Sequence, residues 1–238
     1  MVSENPYRPP HMSIKILAFD ADDTLWDNET YFREIEDKFC DLLADYLPAH
    51  TLGRELLQTE VNNLSLYGYG IKGFILSLIE TALRVSDKTI PVEVVEKILG
   101  YGKELLEKPV FLIGDVEDVL KELKKKYRLV LATKGDLLDQ HRKLTKSGLG
   151  HYFHHIEIMS EKSEADYQKL IKRLDIEASE FAMVGNSLKS DILPVLQIGG
   201  HGFHIPYHTT WAHEKIEVNI DHVNFRQLNS IKEIIRYL

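Results

Sequence analysis

Two kinds of hydrophobic pattern divide the chain. From about residue 30 to 108 the apolar positions recur at helical spacing. Tyr31, Ile35, Phe39, Leu42, Leu43 and Tyr46 fall near one face of a helix predicted over 31–46. Pro48 ends that helix, and three more are predicted over 51–66, 72–84 and 91–107. Tyr67-Gly68-Tyr69-Gly70 and Ser86-Asp87-Lys88 are the breaks between them, and Pro91 suits a first helical position. On either side, short apolar runs alternate with helical stretches. Ile16-Leu17-Ala18-Phe19 reads as a strand buried on both faces, of the kind found inside a parallel sheet. Further strands are predicted over 128–132, 155–159, 181–184 and 202–205, and helices over 116–125, 137–146, 165–174 and 191–197.

This rhythm predicts an α/β fold: a doubly wound parallel sheet forming a Rossmann-like core, with an inserted helical cap. The core is assigned to residues 13–29 and 109–238, and the cap to 30–108. Residues 1–12 are polar and carry Pro6, Pro9 and Pro10, so they read as a flexible leader without the apolar centre of a signal peptide.

Composition narrows the partners. The chain has 238 residues, 44% of them hydrophobic, enough for a sizeable core. A net charge of −8 argues against a broad nucleic-acid or membrane surface, and no apolar run is long enough to span a bilayer. An anionic substrate must then be held by local positive features: a metal, a few lysines or helix N-termini. Cys40 stands alone, which points to a reducing cytoplasm.

In open α/β sheets, ligands bind beyond the carboxyl ends of the strands. Four polar groups fall at such ends. Asp20-Ala21-Asp22-Asp23-Thr24 follows the first strand, and Thr133-Lys134-Gly135-Asp136 the second. Ser160-Glu161-Lys162 follows the third, and Gly185-Asn186-Ser187-Leu188-Lys189-Ser190-Asp191 the fourth. Crowding Asp20, Asp22 and Asp23 is unfavourable unless a cation or a reaction needs them. The bland reading of that run is an acidic turn after a strand.

Taken in this order, the four groups resemble the motifs of the haloacid dehalogenase-like superfamily, and within it the phosphatases with a helical cap. The resemblance implies that Asp20 is a nucleophile that accepts the phosphoryl group. Asp22 would protonate the leaving oxygen and then deprotonate water. It also implies that Thr133 donates a hydrogen bond to the phosphoryl group and that Lys162 neutralises it and steadies Asp20. Magnesium would be held among oxygens: the Asp20 carboxylate, the Asp22 main-chain carbonyl, and Asn186 or Asp191 of the fourth loop. Thr24 and Lys134 are candidates for substrate contact, although Lys134 and Asp136 read equally well as turn residues. The expected substrate is a small phosphorylated metabolite, since a closing cap excludes polymers. The oligomeric state is not legible.

Two positions decide between chemistries. A halide leaves unprotonated, so a dehalogenase does without the acid/base, and Asp22 favours phosphate ester hydrolysis. Asn186 stands where the phosphatase pattern usually has an aspartate. An amide oxygen still ligates magnesium but brings no formal charge. Weaker binding of the metal is expected, and a catalytically weak binding or regulatory protein remains an alternative, as does a 2-haloacid dehalogenase. Among the minor signals, His201, His204, His208 and His213 read as a loop near the site rather than a zinc centre. Trp26 faces substrate or packs under the cap. Tyr67-Gly68-Tyr69-Gly70 is either a substrate-facing loop or a plain interhelical turn.

Overall fold

The computed structural model describes residues 14–238; the leader expected over 1–12 lies outside them. The first strand, β1 (Ile16–Phe19), is followed by four helices: α1 (Glu29–Leu42), α2 (Ala49–Tyr67), α3 (Ile71–Val85) and α4 (Val92–Glu107). Then come α5 (Val116–Leu123), β2 (Arg128–Lys134), α6 (Leu137–Ser147), β3 (His155–Met159), α7 (Glu164–Leu174) and β4 (Phe181–Gly185). A wide π-type turn, Leu188–Ile192, leads into α8 (Leu193–Gln197), β5 (His201–His204) and β6 (Phe225–Gln227).

The strands form one parallel sheet in the order β3-β2-β1-β4-β5-β6. Alternation along each strand splits its side chains between two hydrophobic layers. Leu17 and Phe19 of β1 join Leu129 and Leu131 of β2 on one face. Ile16 and Ala18 join Val130 and Ala132 on the other. Both faces are covered, which is why the strands read as unbroken apolar runs. Register sets Phe19 level with Leu131 on one side and Val184 on the other, so the carboxyl ends of β1, β2 and β4 come together. That is the switch point of the sheet, where chain order turns from β1 outward in both directions.

The helical insertion has a hydrophobic cluster of its own, including Ile35, Phe39, Leu52, Leu78 and Ile98. Its entry and exit are tied to each other and to the acidic loop through main-chain bridges of Trp26 with Asp22 and Leu112.

Four local expectations need correction. The first helix ends at Leu42 rather than reaching Tyr46, and Pro48 caps the start of α2 instead of ending α1. Pro91 is likewise the N-cap of α4, one residue before its first helical position. In both places proline suits the extended angles of a cap, with ψ near 146° and 148°. Residues 191–192 belong to the π-type turn, and α8 starts only at Leu193. The edge strand β6 escaped notice because it has three residues and no fully buried side chain.

Candidate active site

The Asp20 carboxylate leaves the end of β1 and is nearly buried, at 8% exposure. Lys162, just beyond β3, sends its ammonium to Asp20 Oδ1 at 2.5 Å and to Asp191 Oδ1 at 2.6 Å. Asp191 spends its other oxygen on the Ser187 main-chain N–H, 3.0 Å away. Two carboxylates and one ammonium leave this cluster with a net negative charge. Burial pushes the Asp20 carboxyl up against the pull of Lys162, and Asp191 adds to the rise. Burial alone would discharge Lys162, but Asp191 and Asp20 outweigh it and hold the lysine above its ordinary range.

The fourth loop needs its glycine. A Cβ on Gly185 would meet Asp191 Oδ2 at 2.2 Å, so only glycine lets the π-type turn fold back against the end of β4. Asn186 follows at once. Its Oδ1 accepts the Thr24 hydroxyl at 3.2 Å, and that hydroxyl also lies 3.5 Å from Asp20 Oδ2. Thr24, expected at the substrate, does not line the cavity; it links Asp20 to Asn186 from below.

Asp20 Oδ2 and Asn186 Oδ1, which share the Thr24 hydroxyl, are candidate side-chain oxygens for a cation. Asp191 is a third candidate: its oxygens accept from Lys162 and from the Ser187 main-chain N–H, and each keeps a second lone pair. Among the described residues, no three His, Cys, Asp or Glu side chains stand together as a metal cluster. Carboxylate and amide oxygens with waters fit a hard, water-retaining cation and not a transition metal.

Asp22 enters the same cavity beside Asp20, and donors converge on it. Lys143 reaches both of its oxygens at 2.7 Å, Gln140 Nε2 lies 2.9 Å from Oδ2, and the Trp26 indole N–H lies 2.7 Å from Oδ1. Trp26 is itself fully buried, so it packs and positions Asp22 without facing substrate. Asp23, the third carboxylate of the run, also borders the cavity, but its oxygens are taken up by the main chain. It accepts the main-chain N–H groups of Asn28 and Glu29 at 3.0 Å, capping the first turn of the insertion. Burial pushes its carboxyl up to about 8.

Thr133 and Lys134 also border the cavity. The Lys134 ammonium is committed to Glu214 at 2.7 Å and Ser190 at 2.9 Å, and it lies 4.1 Å from the centre of the Tyr69 ring. Glu214, although buried, is pulled down to about 2 by Lys134, Ser187 and Ser190. Tyr69 also donates to Glu161 at 3.0 Å, so the Tyr67–Gly70 turn borders the cavity and touches the core. Lys72 pairs with Asp136 at 2.8 Å beside it. His201 and His204 are buried in β5, not in a loop. Each is hydrogen-bonded to a main-chain carbonyl, His204 to that of Asn186 at 3.0 Å.

The cavity, about 190 Å³, lies between this cluster and the insertion. Sequence reasoning missed Lys143 and Gln140, as well as the residues contributed by the insertion. Both kinds left a signal. Gln140 and Lys143 lie three apart on the helix that follows the Thr133 loop. On α2 the buried stripe runs Leu52, Leu56, Thr59, Asn63, turning polar where it meets the site.

Comparison with known proteins agrees with this fold. A family model described as haloacid dehalogenase-like hydrolase matches residues 14–199. A haloacid dehalogenase-like family hydrolase from Xanthomonas campestris superposes with a TM-score of 0.86 at 36% identity, over 95% of this chain and 92% of that one. The 2-haloacid dehalogenase from Pseudomonas syringae pv. Tomato shares the fold, at a TM-score of 0.62 and 20% identity, over 94% of this chain and 97% of that one. Glyceraldehyde 3-phosphate phosphatase of Methanothermobacter thermautotrophicus is 24% identical over 234 residues, 93% of this chain and all of the relative. The chain belongs to the haloacid dehalogenase-like hydrolases.

Proposed function

We propose that this hydrolase is a magnesium-dependent phosphatase acting on a small phosphorylated metabolite. The observation that carries the reading is Asp22: a second carboxylate, two residues after Asp20, reaching into the same cavity. Carbon–halogen cleavage needs only the nucleophile, whereas an alkoxide leaving group needs a proton. Similarity to a glyceraldehyde 3-phosphate phosphatase supports the same choice.

In the proposed reaction an Asp20 oxygen attacks phosphorus and the ester oxygen departs with a proton from Asp22. Water then attacks the aspartyl phosphate, giving its proton to Asp22 and releasing inorganic phosphate. Lys162 steadies Asp20, and Thr133 donates to the phosphoryl oxygens. Asp20, Asn186 and the Asp22 main chain would hold magnesium, which when bound offsets the repulsion between Asp20 and an anionic substrate. The helical insertion acts as a cap that limits the size of the substrate.

Side-by-side rates decide against the other hydrolase chemistry. Turnover of an aryl phosphate with magnesium, and none of a 2-haloacid, supports the phosphatase. Halide release without added metal would overturn it. Asn186 favours a second reading, a weakly catalytic binding protein, which would give neither activity.

A further inference from the structure

We propose that Trp211, on the loop between β5 and β6, is a specificity-determining residue: its indole is the surface on which the organic part of the phosphate ester packs. This assignment rests on the phosphatase reading and adds to it a wall of the cavity that belongs to the core and not to the insertion.

The loop is pinned on both sides of Trp211. Before it, the Tyr207 hydroxyl donates to Asp27 Oδ1 at 2.8 Å, close to the start of the insertion. After it, Glu214 gathers three donors: the Lys134 ammonium at 2.7 Å and the hydroxyls of Ser187 and Ser190, each at 2.6 Å. Lys189 also donates to the main-chain carbonyl of His213 at 2.9 Å. Glu214 therefore ties the loop to the residue after Thr133 and to the fourth motif at once. Hydrogen bonds to a carboxylate are among the strong ones, and these fix the stretch around Trp211 relative to the catalytic loops.

Between these anchors, Thr210 and Trp211 line the cavity. The two tryptophans of the chain differ in what they leave free. Trp26 is fully buried and spends its N–H on Asp22. Trp211 is only half-buried and borders the cavity. Its ring stands edge-on to that of Tyr69 in the insertion, with centroids 6.2 Å apart and planes at 84°. Core and insertion thus each set one aromatic ring against the cavity, and Phe32 and Phe74 of the insertion line it too. An indole offers a large apolar face, and one already held in place loses little freedom when a ligand covers it. Covering that face removes apolar area from water, which favours a substrate with an apolar body over a smaller one.

The test is a series of phosphate monoesters whose organic part grows in apolar area: methyl, phenyl and naphthyl phosphate. Each is assayed with magnesium in the wild type, Trp211→Ala and Trp211→Phe. Comparing variant with wild type on the same ester cancels the differences in leaving-group chemistry. In Trp211→Ala the loss of kcat/KM is expected to grow along the series, about tenfold larger for the naphthyl than for the methyl ester. Trp211→Phe is expected to recover most of that difference. If the alanine variant does not fold, Trp211→Leu, which keeps an apolar side chain, reads the same gradient. A tryptophan that only holds the loop in place would lower all three esters by one common factor. A parallel loss, or no loss, overturns the assignment and leaves the phosphatase standing. Absence of any phosphate ester turnover by the wild type removes the phosphatase reading, and this assignment with it.

Discussion

Lys143 holds both carboxylate oxygens of Asp22 at 2.7 Å, one ammonium spanning the acid of the first motif. The pair joins the loop after β1 to α6, and Asn28 Oδ1 accepts from the same ammonium at 3.0 Å. Asp22 is thus fixed at the mouth of the cavity by a residue outside the four motifs. Lys143→Met is expected to lower kcat for an aryl phosphate by about tenfold or more, because a mispositioned acid loses much of its contribution. Steady-state kinetics check this; an unchanged kcat would make Lys143 a merely structural partner.

Gly185 is the steric condition for the Lys162 cluster. Gly185→Ala drives a methyl group into the Asp191 carboxylate, and the turn must shift to admit it. Destabilisation of about 1–3 kcal/mol is expected from denaturant unfolding. Gly53, with open space around its Cβ position, is the control.

Glu60 makes stability depend on pH. Burial first, then Glu36 and Glu29, raise its carboxyl from 4.5 to about 8 in the folded protein. The folded state therefore favours the protonated form. Stability present in full below pH 4.5 is lost as the pH rises toward 8. Glu60→Gln should melt several degrees above the wild type at pH 8, and the two should converge near pH 4.5. Equal melting temperatures across the range would show that Glu60 carries no such strain.

Asn186 sets the charge available to a cation. Asn186→Asp is expected to tighten magnesium binding by about tenfold in calorimetry, through the added formal charge on an oxygen already beside Asp20 and Thr24. An unchanged titration would place the metal away from this residue.

Much of this architecture was legible because the strands are buried on both faces. Ile16-Leu17-Ala18-Phe19 and Phe181-Ala182-Met183-Val184 announce a parallel sheet, and the polar residues after each strand mark one edge of it. Lys162 was legible only through its place in that order, since nothing local separates it from a surface lysine. What stayed hidden depends on packing between distant segments. The pairing of Lys143 with Asp22 spans 121 positions, and that of Lys134 with Glu214 spans 80. Asp23 looked like one more acidic group of the site, yet its carboxylate accepts the main-chain N–H groups at the start of α1, a contact that depends on the left-handed turn of its backbone. On α2, Thr59 and Asn63 interrupt an apolar stripe, but the direction of that face required the folded helix pair.

The central claim is that Asp20 takes up the phosphoryl group. The most direct test is rapid acid quenching of enzyme turning over a radiolabelled phosphate ester with magnesium, in the wild type and in Asp20→Asn. A base-labile phosphoenzyme in the wild type and none in the variant is the expected result. A labelled Asp20→Asn variant, or one that still hydrolyses the ester, would contradict the account.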